Sequence, residues 1–137
     1  MKKVKDIMTS EVFFVHPDDK LDLAEDLMRW QRIRHVPVVD QSRHVVGMLT
    51  HRDLLKAAVS SLARLPKNRQ EEIFAHVIVK EIMRKKVLTT TPETDLREVA
   101  ALMLDTKVGC LPVINHEKRL VGIVTEADFL TLSWDVE

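Results

Sequence analysis

Val46-Gly47-Met48-Leu49-Thr50-His51-Arg52-Asp53-Leu54 returns 75 residues later as Val121-Gly122-Ile123-Val124-Thr125-Glu126-Ala127-Asp128-Phe129. Each copy is an apolar run, then a threonine, then an aspartate three residues on. The run reads as a buried strand, and the threonine marks the start of a helix. A helix start leaves backbone N–H groups without intrahelical partners, and a threonine N-cap with a first-turn aspartate faces them. Two readings of this junction are open. It receives a phosphate-bearing ligand, or it is a helix that caps itself.

The similarity extends outward from the motif. Residues 3–57 align with 78–132 without a gap. Ile7-Met8 matches Ile82-Met83, Val12 matches Val87, Pro17 matches Pro92, and Leu21 matches Leu96. Leu27-Met28 matches Leu102-Met103, and Pro37-Val38 matches Pro112-Val113. One supersecondary unit has been duplicated. Within it, Val12 to Val15 predicts a short strand ended by His16-Pro17, and Val87 to Thr90 one ended by Thr91-Pro92. A helix follows, with Asp19 or Thr94 as N-cap and Leu21, Ala24, Leu27, Met28 at helical spacing. Val36 to Val39 is a strand whose proline belongs at its start or on an edge. Asp40 to Arg43 and Asn115 to Lys118 are hairpin turns before Val45–Leu49 and Leu120–Val124. The unit is therefore β-α-β-β-α.

About 55 residues bury too little apolar surface to offset chain entropy alone. The fold expected is α+β, two such units packed as a pseudo-twofold sheet-on-sheet sandwich with helices outside. Repeat 1 spans 1–60, a helical linker 61–77, and repeat 2 78–137. In the linker Pro66 breaks the extended second helix, residues 67–72 are polar, and Ile73, Phe74, Val77 and Ile78 resume an apolar stripe. That stripe packs on its own domain, or covers the other repeat or a second subunit.

Composition narrows the function. Twenty-one basic residues balance 21 acidic ones, against a general nucleic-acid or membrane-surface binder. Arg84-Lys85-Lys86 is a local basic run that reads as a solvated turn. The single cysteine, Cys110, excludes an internal disulfide and fits a reducing, cytoplasmic compartment. Nothing predicts export or a membrane span. Six histidines without ligand spacing and one cysteine predict no metal site. No catalytic constellation stands out, so a non-enzyme is expected.

The paired units resemble cystathionine β-synthase (CBS) domains in tandem, a Bateman module. The residues that carry the resemblance are Asp6-Ile7-Met8, Arg34-His35-Val36-Pro37-Val38-Val39 and the Gly-x-x-Thr-x-x-Asp end. The second copy has Glu81-Ile82-Met83, Gly109-Cys110-Leu111-Pro112-Val113-Ile114 and the same ending. The resemblance implies a stand-alone regulatory module binding AMP, ADP, ATP or S-adenosylmethionine in clefts between the repeats. It implies that Asp53 and Asp128 accept from ribose hydroxyls and that Thr50 and Thr125 face phosphate. The base slot would be walled by Phe14, Val15 and His16 with Arg34, His35 and Val36. Its counterpart would use Thr89 and Thr91 with Gly109, Cys110 and Leu111. The family's modules usually pair, so a homodimer is expected, with a target protein as a further partner.

The two copies differ in charge. His51-Arg52 stand between Thr50 and Asp53 and suit phosphate contact. Glu126-Ala127 stand there in the second copy, and a glutamate repels phosphate. Against this, Thr89 offers a small hydroxyl where the first copy has Phe14. A nucleotide-independent interaction or dimerisation module, its motifs purely structural, is the alternative to a nucleotide sensor.

Overall fold

The computed structural model describes residues 2–64 and 73–134. The expected linker features at Pro66 and residues 67–72 lie outside them. The chain is mixed helix and strand with two small antiparallel sheets. The elements in order are a 3-10 turn Val4–Asp6, α1 Leu21–Gln31, β1 His35–Val39, β2 Val45–Thr50, α2 His51–Arg64, α3 Ile73–His76, α4 Val79–Ile82, α5 Leu96–Thr106, β3 Cys110–Ile114, β4 Leu120–Thr125 and a 3-10 helix Glu126–Trp134. They form two compact units, Phe13–Val87 and Met1–Val12 with Leu88–Glu137.

Each unit holds the sheet and first helix of one repeat and the leading segment of the other. Residues 78–87 close the sheet of repeat 1, where Arg84 N–H donates to Met48 O at 2.9 Å and Arg84 O accepts from Met48 N–H at 3.0 Å. Residues 1–12 close that of repeat 2, where Thr9 and Ile123 exchange bonds of 2.9 Å. The leaders also grip the first helices. Leu21 N–H donates to Val77 O and Val79 N–H to Asp19 O, while Leu96 N–H donates to Lys2 O and Val4 N–H to Thr94 O. Val4 and Val79 are fully buried in their respective cores. Each such valine contributes about 1.5–3 kcal/mol relative to an exposed one.

The expected first strand is reduced to one residue. Val15 pairs in parallel with Val38, donating to Pro37 O at 3.1 Å and accepting from Val39 N–H at 2.9 Å. Pairing cannot lengthen, because Pro37 offers no N–H on this side and Pro17 offers none beyond His16. Thr90, between Pro112 and Pro92, repeats the pattern against Val113. Pro37 therefore sits in mid-strand rather than at its start, and on an edge strand of the two-stranded sheet, the other place expected for it. It is tolerated because its missing donor faces this single bridge.

Other boundaries shift slightly. The N-caps are Lys20 and Asp95, one residue later than expected. The Asp19 carboxylate instead accepts from His16 N–H at 2.7 Å, closing the turn before the helix. Both hairpins form as read. Asp40 Oδ1 accepts from Ser42 and His44 N–H, and Asn115 Oδ1 from Glu117 and Arg119 N–H. The His44 N–H above all holds the Asp40 carboxyl below its usual range. Phe74 and Val77 of the linker pack on the core of their own unit. The last element is 3-10 rather than α-helical, and Thr131 Oγ1 donates to Asp128 O within it at 2.7 Å.

The motif glycines have negative φ, so they serve space rather than conformation. A Cβ on Gly47 would collide with Met83 Sδ and stand 3.0 Å from Arg84 O. On Gly122 it would meet Met8 Sδ at 2.7 Å and Thr9 O at 3.2 Å. Gly47→Ala should lower stability by about 1–3 kcal/mol, the usual range for overpacking. Urea unfolding measures it, and adding Met83→Ala should return part of the loss. An unchanged midpoint in Gly47→Ala would show that the leader does not press on this strand.

Candidate functional site

β2 runs into α2 without a break, so Thr50 ends the strand and His51 opens the helix. The junction is a reciprocal cap. Asp53 N–H donates to Thr50 Oγ1 at 3.2 Å, and Thr50 N–H donates to Asp53 Oδ2 at 3.0 Å. Such caps typically contribute about 1 kcal/mol. Asp53 is also buried, at 8% exposure, an unusual place for a carboxylate without a partner. Arg84 supplies one. Its Nε lies 3.3 Å from both carboxylate oxygens and its Nη2 3.2 Å from Oδ1. The Arg84 side chain remains half exposed. Its place in the basic run 84–86 read as a solvated turn; the structure corrects this to a fork on a buried acid. No local pattern announces the contact, since the partners lie 31 positions apart in sequence.

The second junction keeps one bond of the cap and changes its surroundings. Thr125 N–H donates to Asp128 Oδ2 at 2.8 Å. The residue matching Arg84 here is Thr9, and among the described residues Asp128 has no ion pair. The Glu126 side chain lies against Gly109, whose Cβ position it fills. Glu126 N–H donates to Gly109 O at 3.0 Å, as His51 N–H does to Arg34 O at 2.9 Å.

Register places the expected walls beside the motif ends. His35 stands opposite Thr50, and Cys110 opposite Thr125. Val15, Val36 and Leu111 are core residues with at most 1% exposure. Phe14 is half-buried; His16 meets it edge-on and the Arg43 guanidinium lies 4.9 Å over its ring. Thr89 is half-buried, and Thr91 is exposed with its hydroxyl 2.7 Å from that of Thr94. Arg34 and His51 line a groove of about 570 Å³ between α1 and α2, floored by Met28, Ile33, Leu54 and Phe74. Arg52 borders a different, shallow depression with Leu55, Lys56 and Val59. His51 and Arg52, flanked by Thr50 and Asp53 in sequence, thus point to separate places. Among the described residues no cluster of His, Cys, Asp and Glu could hold a metal ion. No described helix is long and apolar enough to cross a membrane.

Comparison with known proteins matches both repeats to one family. Residues 4–60 and 79–135 each match the CBS domain. The chain is 36% identical over 132 residues to a CBS domain-containing protein of Dictyostelium discoideum, covering 94% of this chain and 89% of that one. It is 32% identical to inosine-5'-monophosphate dehydrogenase of Methanocaldococcus jannaschii, but spans 23% of that protein's length. Among solved structures, the CBS domain pair of protein MJ0100 in complex with 5'-methylthioadenosine and S-adenosyl-L-methionine superposes with a TM-score of 0.81. It is 26% identical and covers 96% of this chain and 99% of that one. CBSX2 shares the fold at a TM-score of 0.83 and 24% identity, covering 100% of this chain and 99% of that one.

Cys110 gives a direct check on the second junction. Burial first, and the Asp128 charge second, push its thiol from 9.0 up to about 12. Thiol reagent at pH 8 should label the native protein at least tenfold more slowly than the urea-unfolded chain. A folded-state value above the unfolded one means that stability falls as pH rises from about 9 toward 12. Equal labelling rates would show that the site opens freely.

Proposed function

The chain belongs to the CBS domain family as a tandem pair, and from that premise we propose a non-catalytic regulatory module that senses adenosine-containing ligands. The observation that carries this reading is the duplicated carboxylate. Asp53 and Asp128 are each oriented by a cap bond from the preceding threonine N–H. A carboxylate fixed in this way can accept both hydroxyls of a ribose, and the helix start beside it favours an anion. The adenosine-bearing ligands of the MJ0100 CBS pair support the same chemistry. The ligand class proposed is AMP, ADP or ATP, or S-adenosylmethionine, with Thr50, Thr125 and His51 as phosphate contacts; Arg52, which borders a separate depression, joins them by a turn of its side chain. The base walls are Phe14, His16, Arg34 and His35 in the first copy and Thr89, Thr91 and Gly109 in the second, with the buried Val15, Val36, Cys110 and Leu111 behind them. Regulation then follows from a difference in ligand affinity between two arrangements of the module.

Isothermal calorimetry on ligand-free protein with AMP, ADP, ATP, S-adenosylmethionine and NAD tests the proposal. At least one should bind. Asp53→Asn and Asp128→Asn, which preserve an acceptor for the cap, should each weaken a different site by tenfold or more. Binding of none of the five would end this reading.

A second reading, a nucleotide-independent dimerisation module, is favoured by an apolar stripe. Leu55, Val59 and Leu62 recur at helical spacing on the outer face of α2, with Val59 73% exposed. On α1, Trp30 is 76% exposed. We propose that these faces meet a second copy, whichever reading holds, and that the protein works in the cytoplasm with a target protein. Val59→Asp should convert a dimer to a monomer in light scattering. Dimer mass unchanged by AMP, together with no calorimetric binding, would favour the second reading over the first.

A further inference from the structure

The ion pair on Asp53 has a consequence for which ligands that site can take. Both oxygens of the carboxylate are engaged, Oδ2 by Thr50 N–H and Arg84 Nε, Oδ1 by Arg84 Nε and Nη2. A ribose needs both oxygens for its two hydroxyls, so it competes directly with the guanidinium. Arg84 cannot leave as a whole residue, because its backbone is locked by two bonds to Met48. Its half-exposed side chain can swing away. A neutral or cationic ligand gives the released guanidinium nothing in exchange. A ligand that carries phosphate gives it a bidentate partner.

Resting on the adenosine-sensing reading, we propose that Arg84 is a specificity-determining latch: it holds the ribose-accepting Asp53 until a phosphate-bearing ligand draws the guanidinium away. The Asp53 site therefore selects nucleotides over nucleosides. The Asp128 site has Thr9 at the matched position and Glu126 beside it, so it lacks the latch and does not discriminate against uncharged or cationic adenosine ligands. The duplicated scaffold thus carries two sites of different charge preference.

The test uses the full chain with Asp128→Asn, which isolates the Asp53 site, and calorimetric titration of adenosine and AMP. AMP should bind at least tenfold more tightly than adenosine. Adding Arg84→Gln should tighten adenosine by threefold or more and weaken AMP, so that the ratio collapses. Arg84→Lys keeps a charge without the fork and should fall between the two. Thermal melting checks that each variant is folded. If Arg84→Gln and Arg84→Lys leave the ratio unchanged, or move both ligands equally, the latch is overturned and adenosine sensing stands. If the Asp128→Asn protein binds neither ligand while the parent protein binds one, the Asp53 site and its latch are overturned, again without touching the broader reading. If neither the parent protein nor Arg84→Gln binds any adenosine ligand, both fall. Adenosine binding that appears only in Arg84→Gln supports the latch.

Discussion

The thioether of Met83 occupies the space that a side chain on Gly47 would fill, and that of Met8 does the same over Gly122. This close approach of a leading segment to a glycine is the constraint on which each unit depends. With it, the leader backbone bonds to the edge of β2 or β4 and covers an otherwise open strand. With it, Val79 or Val4 reaches the core of a sheet that belongs to the other repeat. It also sets the chemistry of the first site. Arg84 follows Met83 directly, so the contact that seals the sheet delivers a guanidinium to Asp53. Packing and site are coupled through two consecutive residues.

The exchange of leaders explains why the repeat is not the folding unit. The chain passes between units twice, at Val12–Phe13 and at Val87–Leu88. A fragment holding only residues 1–60 would keep the sheet of repeat 1 and lose the leader that closes it. The two halves are bound by mutual completion as well as by sequence continuity.

Much of this was legible because it is local. The two hairpins follow from Asp40 and Asn115, whose side chains fold back on their own turns. The Thr-x-x-Asp caps follow from spacing alone. What stayed hidden is long-range. An ungapped alignment pairs Asp6-Ile7-Met8 with Glu81-Ile82-Met83, but nothing in either tripeptide says which sheet it joins. The shortness of the Val15 pairing was readable only once Pro37 was known to face it. Arg84 hid inside a basic run because its partner is distant in the chain, although the glycine at 47 was a signal that something passes close by. Where the halves differ, they differ at the sites. Glycine, threonine, aspartate, proline and methionine match, while Arg84 faces Thr9, His51 faces Glu126, and Arg34 faces Gly109 in the alignment. Residues that build the scaffold and its caps are held in common, and the charged residues around the caps diverge.

Capping and ligand binding looked like rival explanations of the threonine and aspartate, but the geometry makes them compatible. An ionised carboxylate has about four acceptor positions on its two oxygens. In the second junction the cap bond falls on Oδ2. That leaves the greater part of the Asp128 carboxylate for another donor pair, and the same bond fixes its orientation. In the first junction the cap is equally economical, and it is Arg84 that fills the remaining positions. The cap thus pre-positions each carboxylate, and the neighbouring leader decides whether it is open. Preorganisation of this kind lowers the ordering cost of a ligand that binds later. A helix that caps itself would therefore also be the better receptor, and the recurrence of the motif in both halves is compatible with either role.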